Sequence, residues 1–431
     1  MRETFASLRI RNYRLFAMGS LVSNTGTWMQ RVAQDWLVLK LSDSGGALGI
    51  TTGLQFLPIV LFSPFAGVIA DRYPKRRVLA ITQVAMGVTA GLLGLLALTD
   101  LAQVWHVYVL AFMFGTAAAF DMPARSAFVN EMVGREQLSN AVGLNSASFN
   151  LGRMIGPALA GLIIAALGEG VRATGWVIMI NAVSYLAVIC SLTKMRASEL
   201  QPVEPLVRAK GQLRDGVRYV RSRPDIMLVM AIVFCAGTFG LNFQMTTALM
   251  ATDVYGKGAG EYGVLGSILA IGSLAGSLLA ARRGVSRQRL VLVAAVVFGL
   301  SVVLAGLMPS YLMFAIALPL CGVSALTLVT SANAFVQMTT EPQMRGRVMA
   351  LYMAIFMGGT PIGAPLLGWV ADHFGARWTL IGGGLLTVGG TLLSAAVLAR
   401  RQGVRVTPHL RPWPHLDVAT GRLDDVGSVA A

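Results

Sequence analysis

The sequence predicts an all-α integral membrane protein, with twelve transmembrane helices arranged as two six-helix bundles related by pseudo-symmetry. Three observations lead there. Of 431 residues, 55% are hydrophobic and only 13% charged, and the mean hydropathy is +0.66, whereas soluble chains carry about 25% charged residues. Apolar stretches reaching the ~20 residues that a helix needs to cross a ~30 Å hydrocarbon core recur along nearly the whole chain. The chain also matches itself, ungapped, at an offset of 207 residues.

The apolar stretches place spans near 13–39, 46–70, 78–99, 104–122, 141–167, 174–193, 226–252, 261–281, 289–308, 310–336, 347–371 and 377–399. The basic N-terminus leads into a segment too long for a signal peptide and without a small-x-small cleavage site, so it is expected to be the first span. At Met308-Pro309-Ser310 one apolar run must divide into two spans joined by a tight turn. The formal charge of +15 raises the question of a nucleic-acid partner, and the loops answer it. With a cytoplasmic N-terminus, only Lys40, Arg172, Lys257 and Arg377 of the 35 Lys and Arg residues lie outside, and only Arg31 and Arg153 lie within spans. The positive-inside rule then accounts for the charge without nucleic acid, and an even number of spans puts both termini in the cytoplasm. Cys190, Cys235 and Cys321 lie in apolar helices with no metal-ligand spacing and read as packing residues; no metal or cofactor is expected.

Seven glycines lie between Gly115 and Gly168, and five land on glycine 207 residues later, at Gly322, Gly359, Gly363, Gly368 and Gly375. Chance would give about one. Ala127-Phe128-Val129 falls on Ala334-Phe335-Val336. Six is even, so both copies run the same way and their pseudo-twofold axis lies along the membrane normal, as in transporters. The expected division is a bundle over 1–193, a cytoplasmic linker over 194–224 with a short amphipathic helix near 212–220, a bundle over 225–400, and a disordered, Pro-containing tail over 401–431.

Charges inside spans are costly, about 2.5–3.5 kcal/mol on insertion scales, and are functional candidates for that reason. In the first span Asn24, Trp28, Arg31 and Asp35 stand at i, i+4, i+7 and i+11, one helical face, with Gln34 beside it. That face is expected to line a cavity. Arg31 and Asp35, one turn apart, can pair, and Asp35 is a candidate proton carrier if opening and closing alternately strengthen and remove that partner; a static ion pair is the plainer alternative. Arg153 lies near mid-membrane with no acid on its own helix within reach, so its partner is Asp35 or the substrate. Asn145 and Asn242 are further polar residues in spans, and Met and aromatic residues such as Phe239, Phe243 and Met245 suit promiscuous binding.

Between the second and third spans stands Gly67-Val68-Ile69-Ala70-Asp71-Arg72-Tyr73-Pro74-Lys75-Arg76-Arg77. This resembles the signature loop of the major facilitator superfamily, with Pro74 where that family has glycine. The resemblance implies a cytoplasmic gate in which Gly67 allows close helix approach and Asp71, with Arg72 and Arg76, latches the seam between the halves. Gly143, Gly152, Gly156, Pro157, Ala160 and Gly161 in the fifth span match the antiporter motif of drug exporters in that superfamily, with Ala160 for one glycine. Gly152, Gly156 and Ala160, four apart, bare one helix face to a neighbour's backbone, and Pro157 bends the helix. Over nearly the whole chain the similarity is to the multidrug and siderophore exporter branch that includes the bacterial enterobactin exporter, through Arg11-Asn12-Tyr13-Arg14-Leu15-Phe16, Gln34-Asp35-Trp36, Pro123-Ala124-Arg125 and Gly156-Pro157-Ala158. The superfamily's basic residue within the fourth span is missing from 104–122.

These readings converge on a secondary exporter of a small amphipathic molecule (drug, siderophore or secondary metabolite). It would work by alternating access in a bacterial cytoplasmic membrane, as a monomer, with protons as coupling ion and Asp35 as coupling carboxylate. An importer or facilitator of the same fold, and a non-transporting receptor or assembly factor, are the alternatives. No nucleophile with a base, metal spacing or sizeable extramembrane domain supports an enzyme, and Gly256-Lys257-Gly258-Ala259-Gly260 lacks the ending of a phosphate-binding loop.

Overall fold

The structure, a computed structural model, describes residues 5–201, 212–281, 288–401, 405–409 and 415–419. One half consists of α1 (Arg11–Ser42), α2 (Gly45–Arg72), α3 (Lys75–Leu98), α4 (Val104–Met132), α5 (Leu138–Ala166) and α6 (Val171–Lys194). The linker contains α7 (Gln212–Ser222), the short helix expected there. The other half consists of α8 (Pro224–Cys235) with α9 (Phe243–Leu249), then α10 (Ala259–Ala281), α11 (Gln288–Gly306), α12 (Tyr311–Thr339), α13 (Arg345–Phe374) and α14 (Ala376–Arg401). The face carrying α7 and the α2–α3 turn is called here the termini side, and the face carrying Asp43, Gly168 and Gly375 the far side.

Among the described residues eleven helical segments are long and apolar enough to cross a membrane. The twelfth is α1, 32 residues long, whose hydropathy is lowered by Asn24, Gln30, Arg31, Gln34 and Asp35; it packs against α5 and α6 inside the bundle. Large apolar side chains point outward around the assembly, among them Ile81, Ile316 and Leu393, as a hydrocarbon surrounding requires. Helix ends follow local chemistry. The Ser44 hydroxyl accepts from Ala47 N at 3.2 Å to cap α2, and Ser310 caps α12, each satisfying an orphan N–H. The long apolar run divides as expected, α11 ending at Gly306 and α12 starting at Tyr311. Arg377 Nη1 donates to the Gly306 and Met308 carbonyls at 3.1 and 2.6 Å, holding the end of α11.

Two expectations need correction. The span at 226–252 is not one helix: its turns widen over Ala236–Gly240, break at Leu241–Asn242, and widen again over Met250–Val254. Gly237 and Gly240 are weak helix formers, and α13 is pressed against Gly237 and Thr238: a Cβ at Gly359 would lie 2.6 Å from Thr238 N, and one at Gly363 would overlap the Thr238 carbonyl. Asn242 Nδ2 donates to that carbonyl at 2.8 Å, so the break keeps its hydrogen bonding, and irregular backbone at this depth is tolerated where it lines a cavity. In the tail, Arg405–His409 and His415–Ala419 pair as antiparallel strands where disorder is expected; the remainder of the tail lies outside the described residues.

The repeat is visible in the glycine contacts. Gly168 and Gly375 both adopt the left-handed conformation, φ +91° and +92°. Gly152 faces Asn24 and Thr25 of α1, while its match Gly359 faces Gly237 and Thr238. Gly161 meets Ala259, Gly260 and Gly263 of α10 across the interface, and its match Gly368 meets Gly45 and Gly46 of α2. The halves therefore join along two equivalent seams, α5–α10 and α2–α13. A side chain at Gly363 has nowhere to go, so Gly363→Val should destabilise by about 1–3 kcal/mol, lowering the melting temperature in detergent. Gly382→Ala, in α14 with open space around its new Cβ, should be neutral or stabilise by up to about 1 kcal/mol.

Candidate functional site

The inward face of α1 meets the broken helix of the other half at mid-bundle. Asp35, 2% exposed, accepts on Oδ2 from Gln244 Nε2 and from Tyr262 Oη, both at 2.7 Å. Both donors come from the C-terminal half, Gln244 from α9 and Tyr262 from α10, so the carboxylate is a bridge between the halves. The expected Arg31–Asp35 pair is not formed: among the described residues neither arginine of the site has a carboxylate oxygen within 4.0 Å. Helical spacing brings the two residues to one face but cannot show that the facing helix supplies better-placed donors.

Arg31 and Arg153 instead converge on Trp28. Their guanidinium carbons lie 4.5 and 5.7 Å from its ring centroid, and Arg153 Nη2 donates to Ser273 Oγ of α10 at 3.3 Å. Among the described residues, Arg31 Nε is buried without a hydrogen-bond partner, as is Asn242 Oδ1. These groups line a cavity of about 190 Å³ with Phe56, Phe243, Gln244 and Pro157, more than ten times the ~10–15 Å³ that one water needs. Gln34 is behind the lining, donating to Gln55 Oε1 at 3.3 Å. Asn24 binds Ser148 Oγ at 3.2 Å and Asn145 is half-buried further along α5; neither lines the cavity.

The motif of α5 serves two neighbours. A Cβ at Gly156 would lie 2.7 Å from Trp28 Cβ, so Gly152 and Gly156 let α1 close on α5, while Pro157 and Gly161 face α10 across the interface. Gly143 faces open space. Toward the termini side, Phe149 of α5 and Phe65 of α2 are 47% and 63% exposed. There Asp71, Arg72 and Arg76 line a hollow built from N-terminal residues. Lys75 pairs with Glu131 at 2.9 Å and Arg76 donates to the Thr193 carbonyl at 3.4 Å, both within that half; Gly67 precedes them on α2.

The far side is closed by two contacts that the sequence reading missed. Asp372 of α13 accepts from Gly45 N at 2.6 Å, Gly46 N at 2.9 Å and Ser44 Oγ at 2.9 Å. Glu169, after α5, accepts from Ala259 N at 2.9 Å. Each carboxylate takes the positive N-terminal end of a helix belonging to the other half; the two latches close equivalent seams but from different positions, since Glu169 falls on Ala376 and Asp372 on Ala165 at the repeat offset. The sequence reading also missed Asp121, 6% exposed, which accepts from Thr82 Oγ1 (2.9 Å), Gln83 Nε2 (2.8 Å) and Arg125 Nε (2.8 Å). Since α4 runs to Met132, Arg125 is a basic residue inside that helix, not beyond it.

A family of transmembrane secretion effectors matches residues 2–430. The chain belongs to that family, within the major facilitator superfamily. It is similar to the multidrug efflux pump Tap of Mycolicibacterium fortuitum, 29% identical over 381 residues, covering 85% of this chain and 91% of Tap. It is similar also to the enterobactin exporter EntS of Shigella boydii serotype 18, 28% identical over 375 residues, covering 84% and 85%. A solved bacterial homologue of the human lysosomal transporter Spinster, inward-facing, shares the fold with TM-score 0.70 at 15% identity, covering 91% and 97%. This secretion effector is thus a multi-pass membrane transporter of small molecules, not an enzyme.

Exposed charge-to-helix-end contacts each contribute about 0.3–1 kcal/mol. Asp372→Asn with Glu169→Gln should therefore raise the population open on the far side several-fold. Thr52→Cys, which lines the cavity, placed in a background without Cys190, Cys235 and Cys321, should react correspondingly faster with an impermeant thiol reagent applied from the far side. An unchanged rate would remove the latches from the gate.

Proposed function

We propose that this transporter exports a small amphipathic molecule from the bacterial cytoplasm by alternating access, coupled to inward proton flow through Asp35. The observation that carries this reading is the Asp35 bridge: one buried carboxylate on α1 receives its donors from the opposite half. Hydrogen bonds to an ionised carboxylate are roughly twice as strong as neutral ones, so ionised Asp35 favours closure around it. A proton on Oδ2 removes an acceptor that Gln244 and Tyr262 share, and the bond between the halves weakens. Protonation and opening are then linked through the same atom.

The export direction is supported by the relatives, named as a multidrug efflux pump and an enterobactin exporter, and by latches that hold the far side, leaving the termini side for loading. With the termini in the cytoplasm, as the distribution of Lys and Arg favours, that side is where an exporter loads. The far-side latches then open to release cargo, while Gly67, Asp71, Arg72 and Arg76 close the cytoplasmic seam. Both seams are lined by glycine, so the halves can rock as rigid bodies. A single copy contains the cavity and both gates, so it works as a monomer.

The test is efflux of a panel of dyes, antibiotics and siderophores from cells carrying wild type or Asp35→Asn, with and without a protonophore. Wild-type efflux should fall at least tenfold with the protonophore, and Asp35→Asn should abolish the protonophore-sensitive part. Tyr262→Phe, which removes one of two charge-assisted bonds of about 1.5–3 kcal/mol, should leave partial activity. Full protonophore-sensitive efflux by Asp35→Asn would exclude this carboxylate from coupling.

A further inference from the structure

Resting on the export reading, we propose that the cargo is an aromatic organic anion, its carboxylate held between Arg31 and Arg153 and its ring packed among Trp28, Phe56 and Phe243. The cavity is unbalanced in charge: of the described residues that line it, only Arg31 and Arg153 carry formal charge. Both guanidiniums gather at one indole ring, 4.5 and 5.7 Å from its centroid, although like charges repel. Asp35, one turn from Arg31, already accepts from Gln244 and Tyr262 through Oδ2 and does not line the cavity.

The unmet hydrogen bonding points the same way. Among the described residues, Arg31 Nε is buried with no partner, and the hydrogen bond of Arg153 is the 3.3 Å contact to Ser273. A guanidinium has five donors, so most of this pair's capacity is unused, and its planar fork matches a carboxylate in two-point contact. A neutral cargo could accept some of these hydrogen bonds but would leave both positive charges uncompensated, and a cationic one would meet two like charges at low dielectric. An anion with an aromatic body fills both the charge deficit and the apolar walls.

Binding to the purified full chain in lipid nanodiscs separates these classes, using 2-naphthoate and its cationic counterpart 2-naphthylmethylammonium, which share one ring system. Wild type should bind the carboxylate at least about tenfold more tightly than the ammonium. Arg31→Gln and Arg153→Gln should each weaken it by about fivefold or more, and Arg31→Lys should retain part of the affinity. Melting temperatures in the same discs identify any variant that fails to fold, in which case Arg31→Lys and the other arginine's variant decide. Preference for the ammonium, naphthoate affinity indifferent to both arginines, no saturable naphthoate binding, or complete displacement by excess chloride would each overturn the assignment. Arginine-dependent naphthoate binding without efflux of any panel compound would keep the anion site and sink the export reading; efflux of cationic dyes alone would do the reverse.

Discussion

Asp35 places a carboxylate inside a bundle surrounded by hydrocarbon, and two donors from the opposite half make that tolerable. An unpartnered buried charge costs several kcal/mol, so the position of α9 and α10 relative to α1 is tied to the state of one side chain. Other features of the centre follow from this. The C-terminal half breaks its helix at Leu241–Asn242 next to the cavity, bringing Gln244 to α1. Tyr262 reaches the same oxygen from α10, and its hydroxyl oxygen also lies 3.2 Å from the Gln244 carbonyl, which brings the two donors side by side. A rigid continuous helix at 226–252 would not present this combination of side chains and backbone.

Around that centre the two halves touch mainly through small residues. In a bilayer no hydrophobic force draws helices together, and close backbone packing does much of the work. Gly161 and Gly263 of the α5–α10 seam and Gly49 and Gly368 of the α2–α13 seam sit against carbonyls or Cα atoms of the opposing helix. Such surfaces have few interlocking side chains to disengage, which suits an interface that must open and reclose. The far-side latches fit the same requirement: Asp372 and Glu169 hold helix ends at exposed or half-buried positions, where each contact is weak enough to be reversed.

Much of this was legible in the sequence. Repeated glycines at a fixed offset report backbone contacts, because a Cβ is forbidden there whatever the surrounding residues, and those contacts recur in both halves. The polar stripe Trp28–Arg31–Asp35 was legible for a similar reason: helical periodicity fixes a face. Partner choice was not. Spacing along α1 offered Arg31 to Asp35, whereas Gln244 and Tyr262 lie more than 200 residues away in sequence. Asp121 stands at the edge of the predicted span 104–122 and Arg125 just beyond it, so their pairing inside one helix was not legible, although α4 continues through both. Asp372 and Glu169 look like ordinary loop acids until the fold places helix N-termini opposite them.

The duplicated scaffold has diverged in one consequential respect. Arg31, Asp35 and Arg153, the charged residues at the centre, belong to the N-terminal half, while Gln244, Tyr262, Asn242 and Ser273 of the C-terminal half contribute neutral donors and acceptors. Moving the halves apart therefore changes the partners of Asp35 and Arg153 at once, without breaking an ion pair. Neutral partners lower the barrier to that exchange, because a separated donor amide or hydroxyl can be rehydrated at far less cost than a stranded charge. One half holds the charge and the other responds to it, an asymmetry that lets a proton or an anion bias the position of an otherwise symmetric pair of bundles.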